Sequence, residues 1–227
     1  MEIEYTVKKS TNRRKLTVSV ERDRSVVVHA PAGTSEHKIR EVVESKKRWI
    51  HEKTTHSQKY TDPLHPPGKE LVSGESALYM GQEYRIDVHK SEKAEVEFKQ
   101  HFLIHEGRSD SRKEVLRDWY MAQAKEIILP RVKQHAQKLG VDYAEAKLAN
   151  NRYRWGSCTV KNRILLNWRL IKAPMFVIDY VIYHELAHLL EENHTPKFWN
   201  IVRTSAPKMD KAKEWLKNNG QLLEQEI

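Results

Sequence analysis

The sequence predicts an α+β chain: a β-rich N-terminal part with one helix, residues 1–107, then a compact helical part, residues 108–227, carrying a small antiparallel sheet. Three observations predict it. Residues 2–30 and 71–105 break into short runs of alternating apolar and polar residues, parted by turn-forming residues. From residue 109 onward, apolar residues recur instead at three- and four-residue intervals over long stretches. The 227 residues are 39% hydrophobic, enough to build a core in one or two domains, and no apolar run approaches the ~18 residues of a membrane-spanning helix.

In chain order, Glu4 to Val7, Lys15 to Val20 and Ser25 to His29 read as strands of a β-meander, with turns at Asn12-Arg13-Arg14 and Asp23-Arg24. Pro31-Ala32-Gly33 ends it. Ser35 can cap a helix running to about Gln58, with Ile39, Val42, Val43, Trp49 and Ile50 as its apolar stripe. Residues 60–70, YTDPLHPPGKE, read as a Pro-rich linker. Runs at 71–72, 77–80, 83–89, 95–98 and 101–105 predict a second small antiparallel group. Ser109 or Ser111 opens a long helix closed by Gly140, with Val115, Trp119, Ala122, Leu129, Val132, Ala136 and Leu139 as its buried stripe and a kink at Pro130. Residues 144–150 and 163–168 are predicted strands, linked by an irregular hairpin that carries Arg154-Trp155-Gly156-Ser157-Cys158. The C-terminal stretch predicts helices over 196–205 and 208–219, the last ended by Asn219-Gly220.

Between these lies APMFVIDYVIYHELAHLLEENHTPKFW, residues 173–199. Pro174 suits a first helical turn, and Val177, Ile178, Val181, Ile182, Leu186, Leu189 and Leu190 give a wide apolar face on a helix reaching about Glu192. Within it, His184-Glu185-Leu186-Ala187-His188 is an H-E-x-x-H motif. Residues four apart share a helical face, so His184 and His188 can offer two imidazoles to one ion, while Glu185, about 100° round, is placed to be a general base rather than an equal ligand. A catalytic zinc needs a third protein ligand. His194 is the candidate: Asn193 can end the helix in the left-handed conformation, Thr195 can cap a new one with Pro196 at its first position, and His194 then stands at the corner. Glu191, three residues past His188, is the rival ligand.

The segments HELAHLLEENHTPKFW, RWGSC (154–158), ILLN (164–167) and DYVIYHELAH (179–188) resemble the YgjP-like metallopeptidase family, and more distantly the SprT and WLM zinc proteases. The resemblance is dense over about the last 80 residues. It implies a zincin-like metallohydrolase domain over 108–227, a Zn²⁺ cofactor, and RWGSC lying beside the metal. The metzincins share the histidine spacing but have glycine where this chain has Glu191. The YgjP-like family is also associated with nucleoside triphosphate pyrophosphohydrolysis, UTP being the substrate named. That alternative would use the same metal, Mg²⁺ on the substrate, and Lys/Arg for the phosphates, since no Walker-type loop is present.

Charge keeps this alternative and a DNA contact open. The net charge is +9, and residues 146–178 hold Lys147, Arg152, Arg154, Lys161, Arg163, Arg169 and Lys172 without an acid. Such a run is either a solvated face or a field for anionic substrate or DNA. Candidate substrate-binding residues are Asn151, Arg152, Arg154 and Trp155, although Trp155 also suits core filling. Gly156 suits a close backbone approach, Asn167 suits fixing the hairpin by side-chain bonds, and Cys158, the only cysteine, reads as an inert thiol. One cysteine permits no intrachain disulfide, and MEIEYTVKKS lacks the apolar core of a signal peptide, so the expectation is a cytoplasmic protein without membrane segments.

Overall fold

The computed structural model describes residues 3–11, 13–20, 25–54, 70–90, 95–106, 109–151 and 154–224. The chain divides into two units, Met1–His65 and Pro66–Ile227. In the first, β1 (Thr6–Ser10), β2 (Thr17–Val20) and β3 (Val26–Pro31) form a sheet of order β1-β3-β2. It is not the expected meander, because β1 runs parallel to β3 and only β2 pairs with it antiparallel. The reason lies in β3: Val26, Val27, Val28 and Ala30 are all buried, as a central strand requires, whereas β1 is exposed throughout and takes an edge. The single helix expected from Ser35 is two. α1 (Glu36–Ser45) is capped by the Ser35 hydroxyl, which accepts from the Lys38 N–H at 3.3 Å, and α2 (Lys47–Thr54) follows a break at Lys46. Ile39, Val43 and Ile50 pack on β3. Trp49, expected in that stripe, is exposed, with the Lys46 ammonium 5.5 Å above its ring. Residues 55–58 of the expected helix and nearly all of the linker lie outside the described residues.

In the second unit, β4 (Ser76–Tyr79), β5 (Gln82–His89), β6 (Val96–Phe98) and β7 (Phe102–His105) form a sheet of order β4-β5-β7-β6. β5 and β7 are parallel, so this group is mixed rather than antiparallel. The run at 71–72 is not a strand: Leu71 is buried at a positive φ of 58° and leads into a turn. α3 (Ser109–Leu139) packs on this sheet. Its buried row is Leu116, Tyr120, Ala124, Ile128, Val132 and Ala136, an unbroken i, i+4 series, whereas Ala122 of the expected stripe is exposed. Gly140, at φ 69°, closes the helix as expected, with the Val141 N–H donating to the Ala136 carbonyl at 3.0 Å. Tyr79, Phe98 and Phe102 meet Trp119 and Tyr120 edge-on or tilted at centroid distances of 5.0–6.5 Å. The Tyr120 hydroxyl donates to the Leu78 carbonyl at 2.7 Å. Sheet and helix thus share one core, and the boundary expected at 107/108 falls inside this unit.

The remaining elements carry the site. β8 (Glu145–Ala149), β9 (Gly156–Cys158) and β10 (Arg163–Asn167) form a sheet of order β8-β10-β9, with β8 parallel and β9 antiparallel to β10, so this sheet is also mixed. A 3-10 turn, Trp168–Lys172, which the periodicity does not reveal, leads into α4 (Met175–Ala187), with Pro174 at the N-cap. α5 (Pro196–Ser205) and α6 (Met209–Glu224) pack against α4, as does α3. The β4–β5 turn is docked at the start of α4. The Met80 and Gly81 N–H groups donate to the Ile171 and Lys172 carbonyls at 3.0 and 2.8 Å, and a Cβ on Gly81, at φ 83°, would run into the Pro174 ring. α4 ends at Ala187, earlier than the expected Glu192, because Leu189 and Leu190 turn back to the carbonyls three residues before them, and Asn193 is not left-handed. α6 runs through Gly220, which is buried within it instead of ending it. Among the described residues, no helix is long and apolar enough to cross a membrane.

Candidate metal centre and active-site cleft

α4 presents His184 and His188 on one face, and the chain turns after it to bring His194 alongside. One ligand-capable atom from each of the three lies within 4.8 Å of the others, and the Nε2 atoms of His184 and His194 are 3.0 Å apart. Two ligands ~2.0–2.1 Å from one tetrahedral ion stand at about that separation. His188 Nδ1 lies 3.0 Å from the Glu192 carbonyl, which can only accept, so Nδ1 carries the proton and Nε2 keeps its lone pair for an ion. Phe198 forms the floor, fully buried with its centroid 5.0, 4.6 and 4.6 Å from the rings of His184, His188 and His194, and Trp199 stacks on His194 at 5.4 Å. The Thr195 hydroxyl, accepting from the Phe198 N–H at 3.3 Å, starts α5 so that this floor is in place. Burial first, then the neighbouring His188, His194 and Lys213, pushes His184 down to about 3, and burial followed by His188 lowers His194. Both are neutral near pH 7, the form that binds a metal. The three imidazoles therefore fit a zinc-type ion. Glu191 is not in the cluster; its carboxylate lies 3.8 Å from the Lys197 ammonium.

Glu185 is buried on the adjacent face of α4, against β9. A Cβ at Gly156 would stand 2.6 Å from its Oε1, so only glycine lets strand and carboxylate come this close. Burial pushes the carboxyl up to about 7, against the opposing effects of the Cys158 backbone N–H, which donates to it, and of Arg154. The Cys158 thiol is raised by burial and then by the charge of Glu185, which makes it unreactive. β9, the histidines, Glu185 and Glu192 line a cleft of about 480 Å³, within the range of ligand sites.

The other candidates divide. Arg154 is exposed and lines the cleft. Trp155 is half-buried against the core and lines a smaller side cleft. Asn151 does not line the cleft; its carbonyl accepts from Asn167 Nδ2 at 2.6 Å. Asn167 also holds the Arg154 carbonyl at 3.2 Å and the Arg169 N–H at 3.0 Å, tying the hairpin as expected. Arg152 lies outside the described residues. The basic run is not one open face, since Lys147 and Arg163 sit 2.8 and 3.8 Å from Glu145 carboxylate oxygens and Lys172 is buried beneath Tyr120 and Trp168. Tyr180 was not anticipated. It is buried one turn before His184 and pushed up to about 12 by burial, then by Glu185 and Asp210, so it stays a neutral phenol. Its signal is the four-residue step to His184. Also unanticipated is an anchor behind α4: Asp179 takes a two-pronged bond from Arg131 of α3, 2.8 Å each, and lies 2.7 Å from His135.

A family model described as "YgjP-like, metallopeptidase domain" matches residues 14–219. The chain belongs to the YgjP-like family. It is a metallohydrolase of the metallopeptidase type, and this membership implies a metal, usually zinc. No curated protein matches the YgjP-like chain significantly. Among solved structures, the metallopeptidase zymogen of Pyrococcus abyssi abylysin is similar over 44% of this chain and 99% of that one, with 20% identity and a TM-score of 0.38. A likeness of that size carries no argument about the YgjP-like chain, whose membership rests on the family match.

Proposed function

We propose that the protein is a zinc-dependent peptidase in which Glu185 is the general base and His184, His188 and His194 hold the metal. The observation that carries this is the juxtaposition of a buried, proton-binding carboxylate with three converging imidazoles in one cleft. Zinc, when bound, supplies a Lewis acid that polarises a carbonyl oxygen and makes water more acidic. Glu185 takes the proton of the attacking water and returns it to the leaving amine nitrogen as the peptide bond breaks. The Cys158 N–H holds the carboxylate in line through these steps, and Gly156 leaves room for it. The catalytic unit is residues 66–227, since the β4–β5 turn positions the start of α4.

A peptide suits this cleft because β9 is an edge strand of the sheet and forms one wall. An edge strand can accept an extended chain as an added strand, and here the Cys158 N–H is already taken by Glu185, so the chain would pair at the Gly156 end. The UTP pyrophosphatase alternative is served less well: among the described residues Arg154 is the one Lys or Arg lining the cleft, and it shares that lining with two carboxylates, Glu185 and Glu192. A polyphosphate needs several cations. For DNA, the basic run is reduced as a binding face, since Lys147 and Arg163 are paired with Glu145 and Lys172 is buried. A cytoplasmic setting is part of the proposal and rests on the cysteine content, one residue in 227.

The test is a turnover screen of the zinc-loaded protein against unfolded proteins and all nucleoside triphosphates. Peptide bond cleavage with no pyrophosphate release is expected. Pyrophosphate release from UTP without proteolysis would overturn the peptidase reading.

A further inference from the structure

A second cleft opens beside the first, of about 260 Å³. Its walls are apolar: Trp155, Val181 and Leu216, with the ring of Tyr180. Arg154, Gly156, His184 and Glu185 line both clefts, so the side cleft branches from the point where the general base and the histidines meet. Its elements are unlike in origin. Trp155 precedes β9, Tyr180 and Val181 lie one turn before the metal pair on α4, and Leu216 reaches in from α6. The volume suits one large amino-acid side chain and is below the ~300 Å³ at which sites for larger ligands begin. Glu185 is the one acid that lines it, at the junction with the main cleft.

We infer that this side cleft is a specificity site that seats one apolar side chain, aromatic or branched aliphatic, of the peptide residue flanking the scissile bond. The inference rests on the peptidase reading. A peptide lying along β9 passes the junction, and a side chain directed towards α4 and α6 enters the cleft while its backbone stays by Glu185. Burial of one such side chain is worth at least about tenfold in binding. Leu216, half-buried on α6, lines the side cleft and not the main one, so it is the residue whose size can be changed there without altering the lining of the main cleft.

The test uses the full chain with zinc and the Glu185→Gln substitution, which separates binding from turnover. Peptides of the form Ala-Ala-X-Ala-Ala, with X as Phe, Leu, Gly or Asp, are titrated by calorimetry. X as Phe or Leu is expected to bind at least about tenfold tighter than X as Gly or Asp. Adding Leu216→Trp, which fills the cleft, should erase the difference. Leu216→Ala, which widens it, should move the preference towards X as Trp and keeps the test valid if the larger substitution unfolds the chain. In parallel, cleavage sites in an unfolded protein are mapped with the unsubstituted Glu185. Peptide cleavage without an apolar preference, unchanged in Leu216→Ala, would overturn the side cleft and leave the peptidase reading standing. Apolar peptides binding preferentially with no cleavage by the parent protein would overturn the peptidase reading and leave the side cleft standing.

Discussion

The cleft has one wall of side chains and one wall of backbone, and the two work differently. On the α4–α5 side, three imidazoles converge over Phe198, and each residue acts through what its side chain offers. On the β9 side, Gly156 acts by having no side chain and Cys158 through its N–H rather than its thiol. Glu185 stands between them, carried by the first wall and held by the second. On the proposed reading, metal binding and proton transfer are therefore separable: the histidine wall can be intact while the strand wall fails, and the reverse.

The largest effect expected is from breaking the histidine wall. His188→Ala should drop zinc from about one per chain to near none by metal analysis, and turnover with it, since a catalytic zinc rarely tolerates loss of a protein ligand. His194→Ala should weaken binding; unchanged zinc there would move the third ligand to Glu191. Breaking the strand wall should give the opposite pattern. Gly156→Ala puts a Cβ 2.6 Å from Glu185 Oε1 and forces the carboxylate aside. A displacement near 1 Å costs on the order of 100-fold in turnover, and zinc content should not change. Loss of zinc in Gly156→Ala would mean that the two walls are not independent.

Away from the clefts, Asp179 anchors α4 to α3. Burial alone would raise its carboxyl, but the bonds from His135 and Arg131 outweigh it and hold it below the usual range. With the folded value depressed, the stabilisation is complete above the unfolded value of about 3.9 and is lost as pH falls through the folded one. Asp179→Asn should therefore cost about 1.5–3 kcal/mol at neutral pH and flatten the acid limb of the stability curve, measured by urea unfolding at several pH values. Zinc should stay bound, because Asp179, Arg131 and His135 line neither cleft. The smallest effect expected is from Lys147→Ala. Lys147 pairs with Glu145 on β8, away from the cleft, so turnover and its salt dependence should be unchanged; a reduced salt slope would restore the basic run as a binding face.

The two walls were not equally legible in the sequence. The histidine wall rests on local rules: a four-residue step on a helix, and a Thr-Pro start to the next one, both readable from a few residues. Even there, the end of α4 was not, because it is decided by turns at Leu189 and Leu190 and by the His188–Glu192 contact. Gly156 was readable as a place of close approach, but what approaches it depends on β9 pairing with β10 and meeting α4, which no short pattern states. The same holds for β1 and β8. Their strand character is local, whereas their parallel pairing is a tertiary choice driven by burial of the strands between. Tyr180 and the Asp179 anchor fall in this class too, since each gains its setting from another element.

The central claim, that Glu185 carries the proton while the histidines carry the metal, is tested most directly by Glu185→Gln, with zinc content and turnover measured on the same preparation. The substitution keeps shape and polarity and removes the base. The account predicts about one zinc per chain, an unchanged fold, and turnover lower by roughly 100- to 10,000-fold, the usual worth of a positioned general base. Full turnover in Glu185→Gln with zinc bound would contradict it.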